Sequence, residues 1–223
     1  MTSGLRERRK QETRRAVSDT ATALFVAQGF DEVTISQVAD AAGVAKMTVT
    51  NYFPRKEDLV FDRAETVIGH LAEVVAARLP GESMLTAIRR DYADAVARAE
   101  VTLGLSSAAF ARMIAGSPVL ATREREMLLL REEALGDAMA AETGTDGPQQ
   151  RLAAALLASV HRVLYSEARQ RSLAGQPRPE ICAVLAEAAT RAFDLLEPAL
   201  GNSCIRADST SASGPDPAQP AVR

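Results

Sequence analysis

Apolar residues recur at helical spacing along most of the chain, most clearly between residues 34 and 42. In that segment the apolar positions are Ile35, Val38, Ala39 and Ala42, at i, i+3, i+4 and i+7. This spacing gives a short helix a single apolar face, which must pack against another part of the protein. No run of alternating apolar and polar residues competes with the helical periods. The pattern therefore predicts an all-α fold.

Local signals set the ends of this helix and of the next one. Thr34 and Gln37 have the spacing of a capping box, so the helix is expected to begin there. Gly43 follows the last apolar position, where a tight turn between crossed helices needs a positive φ. A second short helix is expected from about Ala45 to Tyr52, and Pro54 ends it. Two short helices joined by such a turn are typical of a helix-turn-helix unit.

The second short helix turns a polar face outward, because Val49 and Phe53 take its inward positions. The outward residues are Lys46, Thr48, Thr50 and Asn51. In a major groove Lys can donate to guanine, Asn can pair with adenine, and Thr can contact a thymine methyl group. The helix is therefore interpreted as a DNA-reading helix. A plain helical hairpin inside an α-helical bundle has the same spacing and stays open as an alternative.

Residues 13–59 resemble the DNA-binding domain of the TetR family of bacterial repressors. The matching pieces are TRRAVSDTATALFVAQGF, TISQVADAAGV and MTVTNYFPRKEDL, in the family's order and spacing. The chain departs from the family at Thr50, where an aromatic residue is usual, and at Ala45, where a side-chain helix cap is common. The resemblance implies that Thr34, Tyr52 and Lys56 hold phosphates while the outward residues face the bases.

Longer helices account for most of the remaining chain. The first is expected at about 8–28, after a flexible arm at 1–7, and the later ones at about 56–78, 83–100, 105–115, 118–142, 148–172 and 179–200. Residues 1–55 are predicted to form a three-helix, helix-turn-helix DNA-binding domain. Residues 56–200 are predicted to form a helical ligand-binding and dimerisation bundle, giving about nine helices in all. Residues 201–223 have few apolar groups and are predicted to be a disordered tail.

Charge is distributed unevenly along the chain. The whole sequence has a formal net charge of -3, yet residues 6–15 hold six basic side chains: Arg6, Arg8, Arg9, Lys10, Arg14 and Arg15. This run either contacts phosphates or is a solvated helix start, and both readings remain open. Between residues 123 and 133 Arg and Glu alternate, and this stretch is expected to be a solvated helix face.

The sequence lacks the motifs of common enzymes and metal sites. G-x-S-x-G, G-x-G-x-x-G, the P-loop pattern and H-E-x-x-H do not occur. Cys182 and Cys204 have no His or Cys at ligand spacing, so no metal and no cofactor is expected. Neither a signal peptide nor an apolar run of 18 residues is present, and a cytoplasmic protein without membrane contact is expected.

The TetR resemblance implies a dimer and a ligand pocket. The helices at 148–172 and 179–200 would pair with those of a second copy, although burial within one chain also explains their apolar stripes. A pocket for an apolar or amphipathic effector would lie in the bundle. Its candidate lining residues are Met84, Ile88, Tyr92, Phe110, Met113, Met127, His161 and Tyr165. Each of these residues taken singly is more often part of a packed core.

The expected function is therefore transcriptional regulation by sequence-specific DNA binding. The partners implied are a second copy of the chain, a palindromic double-stranded DNA operator and a small-molecule effector that releases the repressor. An architectural or activating DNA-binding factor without a ligand is the alternative. An enzyme is a remote alternative, since the parts that catalysis needs were not found.

Overall fold

The computed structural model describes the backbone of residues 2–201 and the side chains of residues 6–201. Within this range the chain forms nine α-helices and two 3-10 turns, which confirms the all-α prediction. The helices are α1 (Thr2–Gln28), α2 (Ile35–Ala42), α3 (Lys46–Tyr52), α4 (Ala64–Ala76), α5 (Met84–Ala97), α6 (Ala108–Gly116), α7 (Pro118–Thr143), α8 (Pro148–Leu173) and α9 (Arg178–Leu200). The 3-10 turns lie at Lys56–Leu59 and Val101–Leu103. Apart from Gly201, the predicted tail lies outside the described residues, as does Cys204.

Helix α1 begins well before the expected position. The arm predicted for residues 1–7 is wrong from Thr2 onward. Residues 5–9 are Leu, Arg and Glu, which have high helix propensity, and Gly4 alone costs only about 1 kcal/mol relative to Ala. Local propensity therefore outweighs the single glycine.

The helix predicted at 56–78 is interrupted between the turn at Lys56–Leu59 and the start of α4 at Ala64. Side chains from α1 explain the break. Ser18 Oγ donates to the Leu59 carbonyl at 2.9 Å, and Arg14 donates to the Asp62 carbonyl at 3.2 Å. These two carbonyl groups therefore accept hydrogen bonds from side chains of α1. In an unbroken helix they would accept backbone hydrogen bonds from the following turn.

The first of two hydrophobic cores joins α1, α2 and α3. Phe25, Val38, Val49 and Phe53 are almost fully buried in it. The core does not stop at residue 55, the predicted domain boundary. It continues through the residues Leu59, Val60, Phe61, Ala64, Ile114, Leu120 and Met127. The DNA-binding domain therefore packs directly on α6 and α7.

The second core lies among α4, α5, α7, α8 and α9. Its centre contains Ile88, Tyr92 and Phe193, each at most 1% exposed. At the edge of this core, the buried guanidinium of Arg78 pairs with Glu142 and connects the C-terminal ends of α4 and α7. Because this pair is also hydrogen-bonded to the backbone, the charge is well compensated.

Candidate functional site

The turn between α2 and α3 has the geometry that the sequence predicted. Gln37 N–H donates to Thr34 Oγ1 at 3.3 Å, and Thr34 N–H donates to Gln37 Oε1 at 2.7 Å, which completes the capping box. Gly43 has a φ of 66°, in the left-handed region that glycine tolerates. Val44 N–H then bonds to the Ala39 carbonyl at 3.0 Å. The start of α3 is therefore fixed relative to α2.

Helix α3 buries one side and exposes the other. Val49 lies in the core, while Lys46, Thr50 and Asn51 are exposed and Thr48 is half-buried. Thr50 Oγ1 donates to the Met47 carbonyl at 3.1 Å, so part of its hydrogen-bonding capacity is used within the helix. Base contact by these residues stays a prediction.

Met47 was missed by the sequence analysis, although its side chain is 69% exposed on the same helix. Its position two residues before buried Val49 would have placed it on the outer face. An exposed thioether among polar side chains offers an apolar contact, such as one with a thymine methyl group.

Arg14 positions α3 from the side of α1. Its guanidinium donates to the Tyr52 carbonyl at 2.9 Å and lies 4.6 Å from the centre of the Phe53 ring. One member of the basic run is therefore engaged in holding the C-terminal end of α3, where carbonyl groups lack helical partners. Arg8, Arg9 and the other described members are exposed, and their contact with phosphates stays a prediction.

Lys56 also has a partner within the protein. Its ammonium group donates to the Phe30 carbonyl and lies 4.4 Å from the centre of the Phe30 ring. Burial lowers the pKa of this ammonium group. Lys56 therefore connects the turn after α3 to the end of α1. The phosphate contacts predicted for Lys56, for Thr34 and for half-buried Tyr52 stay predictions.

The eight candidate pocket residues do not share one cavity. Phe110, Met127 and Tyr165 line a cleft of about 730 Å³. Met113 lines a separate groove of about 460 Å³, and His161 lines a polar cavity of about 350 Å³. The remaining three candidates, Met84, Ile88 and Tyr92, are packed in the second core and line none of these cavities. The eight side chains are therefore divided among these three cavities and the second core, and ligand contact by any of them stays a prediction.

The cleft of about 730 Å³ lies between α1 and the helices α6, α7 and α8. Inside it, Tyr165 Oη donates to Glu124 at 2.8 Å, and Arg169 pairs with Glu124 at 3.0 Å. Burial is the main cause that raises the pKa of Tyr165. A side chain at Gly104 would come within 2.8 Å of the Tyr165 carbonyl, so the close approach here requires glycine. An occupant of this cleft would contact both domains.

The polar cavity of about 350 Å³ is lined by several titratable side chains. Arg131, predicted to lie on a solvated face, is buried, and its Nε donates to the Val67 carbonyl at 2.9 Å. His70 is half-buried, and its hydrogen bond with Asp91, at 2.7 Å, raises the imidazole pKa. Burial instead lowers the pKa of His161, whose ring lies edge-on to Tyr92 at 5.0 Å. The alternation of Arg and Glu at residues 123–133 of α7 did not predict that Arg131 would be the buried charge.

Ion pairs connect the DNA-binding domain to α7. Asp58 pairs with Arg123 at 3.1 Å, and Arg123 pairs with Glu126 at 2.8 Å. Arg55, just after α3, also pairs with Glu126 at 3.4 Å. Met127 and Arg131 follow on the same helix and line the cavities. A displacement of α7 would therefore also move the segment that follows α3.

The helix-turn-helix region of the chain is similar to that of known regulatory proteins. The family model for bacterial regulatory proteins of the tetR family matches residues 18–62. Residues 18–62 therefore carry the helix-turn-helix region of the TetR family. The HTH-type transcriptional regulator AcrR of Shigella flexneri is 34% identical over 77 residues, which are 33% of this chain and 36% of AcrR. The chain spans about a third of the length of the curated relatives it matches.

Solved structures extend the likeness to the whole TetR-family fold. A protein described as a TetR-family transcriptional regulator from Mesorhizobium loti matches with a TM-score of 0.50 at 20% identity, over 84% of this chain and 98% of that one. A complex of SmeT with triclosan matches with a TM-score of 0.55 at 16% identity, over 94% of this chain and 100% of SmeT. At these identities the likeness establishes the fold.

Within residues 2–201, no helix is both long enough and apolar enough to cross a membrane. The same part of the chain contains no group of three or more His, Cys, Asp or Glu side chains arranged to hold a metal ion. Cys182 is a half-buried free thiol.

Proposed function

We propose that the chain is a homodimeric transcriptional repressor that binds a palindromic operator and leaves it when a small molecule occupies the cavities beside α7. The exposed polar face of α3, held in place by buried Val49 within a TetR-family helix-turn-helix, carries this proposal. A short helix with polar side chains on a rigid support suits a major groove. The basic N-terminal part of α1 adds positive charge for the phosphates.

Selection from a library of random DNA duplexes tests the DNA-binding part of the proposal. We expect enrichment of a sequence with two-fold symmetry, and an affinity that falls steeply as salt concentration rises. The purified full chain is used, because both domains share the first core. A library that shows no enriched sequence after several rounds would refute sequence-specific binding.

Exposed apolar residues on α8 and α9 support the homodimer. Val163 is 60% exposed and Leu195 is 81% exposed, although both lie within otherwise amphipathic helices. A second copy would remove these side chains from water and would place two copies of α3 on successive turns of the duplex. Leu195→Glu should shift the protein toward monomers in sedimentation experiments. Leu129→Glu, at a residue 58% exposed on α7, is the matched control. This variant should sediment with the same molecular mass as the wild-type dimer.

Regulation by a ligand is favoured over ligand-independent DNA binding by the position of the large cleft. The cleft borders α1 of the DNA-binding domain as well as α7 and α8, so its occupant can favour one arrangement of the domains. SmeT in the compared structure holds triclosan. We expect an apolar or amphipathic effector here.

Tyr165→Phe tests the effector site, because it removes a hydroxyl group in the cleft that now donates to Glu124. The variant should keep the ligand-free operator affinity and respond less to the effector, as measured by fluorescence anisotropy. A variant that responds like the wild type would remove Tyr165 from the site. A full reversal from 1:99 to 99:1 requires the effector to favour the released form by about 5.5 kcal/mol.

A further inference from the structure

Two buried polar side chains face the small polar cavity without sufficient partners. Arg131 is 4% exposed, and among the described residues its hydrogen bonding is limited to the Val67 carbonyl. Nε2 of His161, a residue 5% exposed, has no hydrogen-bond partner in the described part of the chain. Both side chains line the cavity of about 350 Å³. Buried polar groups are normally satisfied, so these two indicate a site for a polar ligand.

The two carboxylates on the wall of this cavity, Asp91 and Glu100, have partners other than Arg131. Asp91 accepts from His70 at 2.7 Å, and Glu100 accepts from Arg98 at 2.8 Å. No carboxylate of residues 6–201 pairs with Arg131, whose guanidinium is charged at any ordinary pH. Burial keeps the His161 pKa well below its usual range, so this imidazole is neutral near pH 7. Arg63 also lines the cavity but is exposed to solvent, so Arg131 is the one buried guanidinium there without a carboxylate partner, and it lies in the same cavity as a neutral hydrogen-bonding group.

We infer that this cavity binds the carboxylate of an organic monoacid, with Arg131 donating to the carboxylate oxygens and His161 Nε2 donating a further hydrogen bond. One negative charge matches the one buried guanidinium, whereas the second charge of a phosphate dianion would have no buried cation as its partner. The planar guanidinium also suits a carboxylate geometrically. This inference rests on the proposed function and names the chemical class of its effector.

The neighbouring cleft offers space for the rest of such an acid. Its wall and that of the polar cavity share the residues Arg63, Val67, Val101 and Thr102. The cleft itself is lined by apolar side chains that include Leu105, Phe110 and Met127. The proposed site therefore places the carboxylate at Arg131 and the aliphatic or aromatic body of the acid in the cleft beyond Val67.

Isothermal titration of the full chain with octanoate, with 4-phenylbutyrate and with the primary amide of each acid tests the inference. The wild type should bind at least one acid roughly tenfold to a hundredfold more tightly than its amide, as expected for a charge-assisted pair. Arg131→Gln should lose this preference. Arg125→Gln is the matched control, because Arg125 is exposed on the same helix, and it should keep the preference.

Thermal melting without ligand supplies a second measurement. Arg131→Gln should melt at or above the wild-type temperature, since it removes an uncompensated buried charge. Failure of this variant to fold would show that Arg131 is a structural group and would overturn the inference. Equal binding of acids and amides, absence of saturable binding by both acids, or tighter binding of inorganic phosphate would also overturn it.

Operator binding by the same proteins separates this inference from the proposed function. A wild type that binds its selected operator but shows no preference for acids overturns the inference alone. A wild type that binds no operator overturns the proposed function. An acid that binds through Arg131 and also lowers operator affinity supports both.

Discussion

Asn51 lies exposed on α3, beside the buried Val49 that holds the helix in place. We expect Asn51→Ala to lower affinity for the selected operator by about 1–3 kcal/mol, because a bidentate contact to a base is lost. Affinity for unrelated duplexes should change little. Fluorescence anisotropy on both duplexes measures the difference. Glu180→Gln, at an exposed residue in the first turn of α9, is the control, and a uniform loss on both duplexes would contradict base reading by Asn51.

Lys56 has a structural partner as well as its predicted phosphate contact. Lys56→Met should lower the free energy of unfolding in urea by about 1–3 kcal/mol, because the hydrogen bond to the Phe30 carbonyl is lost. If Lys56 also contacts a phosphate, operator affinity should fall nearly equally for all sequences. Unchanged stability together with a changed base preference would show that both roles are wrong.

The His70–Asp91 hydrogen bond makes part of the stability depend on pH. This bond raises the His70 pKa above its unfolded value, so its contribution is full below about pH 6.5 and is lost as pH rises through the folded pKa. The stability advantage of the wild type over His70→Ala should therefore shrink, by up to about 1 kcal/mol, from acidic to alkaline pH. His161 is present in both proteins, so its opposite pH dependence cancels. Urea unfolding at several pH values measures this, and an advantage that grows with pH would contradict it.

Residue roles were predictable where local geometry decides them. The box of Thr34 and Gln37 and the positive φ of Gly43 follow from neighbours within a few positions. The burial of Arg131 and the separation of Met113 from His161 depend on how distant helices pack. Helical periodicity identifies an inward side chain but not whether it meets a core or a cavity.

At the scale of elements, α7 connects the cavities to the DNA-binding domain through the ion pairs Arg123–Asp58 and Glu126–Arg55. Arg123→Gln should have nearly the wild-type operator affinity in the absence of effector. The effector should lower this affinity less in the variant than in the wild type, where the coupling free energy between effector and operator binding is expected to be about 1–3 kcal/mol. Anisotropy with and without the effector measures the coupling. Arg125→Gln, which leaves these ion pairs intact, is the control. If the effector lowered the operator affinity of Arg123→Gln as much as that of the wild type, the Arg123 ion pair would not be needed for the coupling.

Most helices were predictable from periodicity with Gly and Pro breaks, as α7 and α8 show by starting at Pro118 and Pro148. The interruption before α4 was not, because Arg14 and Ser18 reach across from α1 to create it. A contact made over such a sequence separation leaves no periodic signal in the segment that it alters.

At the scale of the whole molecule, the all-α architecture and the N-terminal position of the helix-turn-helix were predictable. The shared core was not, since Ile114 and Leu120 could not be assigned to the N-terminal domain from sequence alone. This sharing explains how a ligand beside α7 could influence α3. The proposed signal needs no flexible connection, because the two domains pack directly on one another.

The central claim is that two copies of the chain read the two halves of one operator. Anisotropy titration of the selected palindrome, compared with a duplex in which one half-site is scrambled, tests this claim most directly. We predict two chains per palindrome and an affinity at least about a hundredfold lower for the scrambled duplex, because the contacts of one α3 are lost. Equal affinity for both duplexes, with one chain bound to each, would contradict the account.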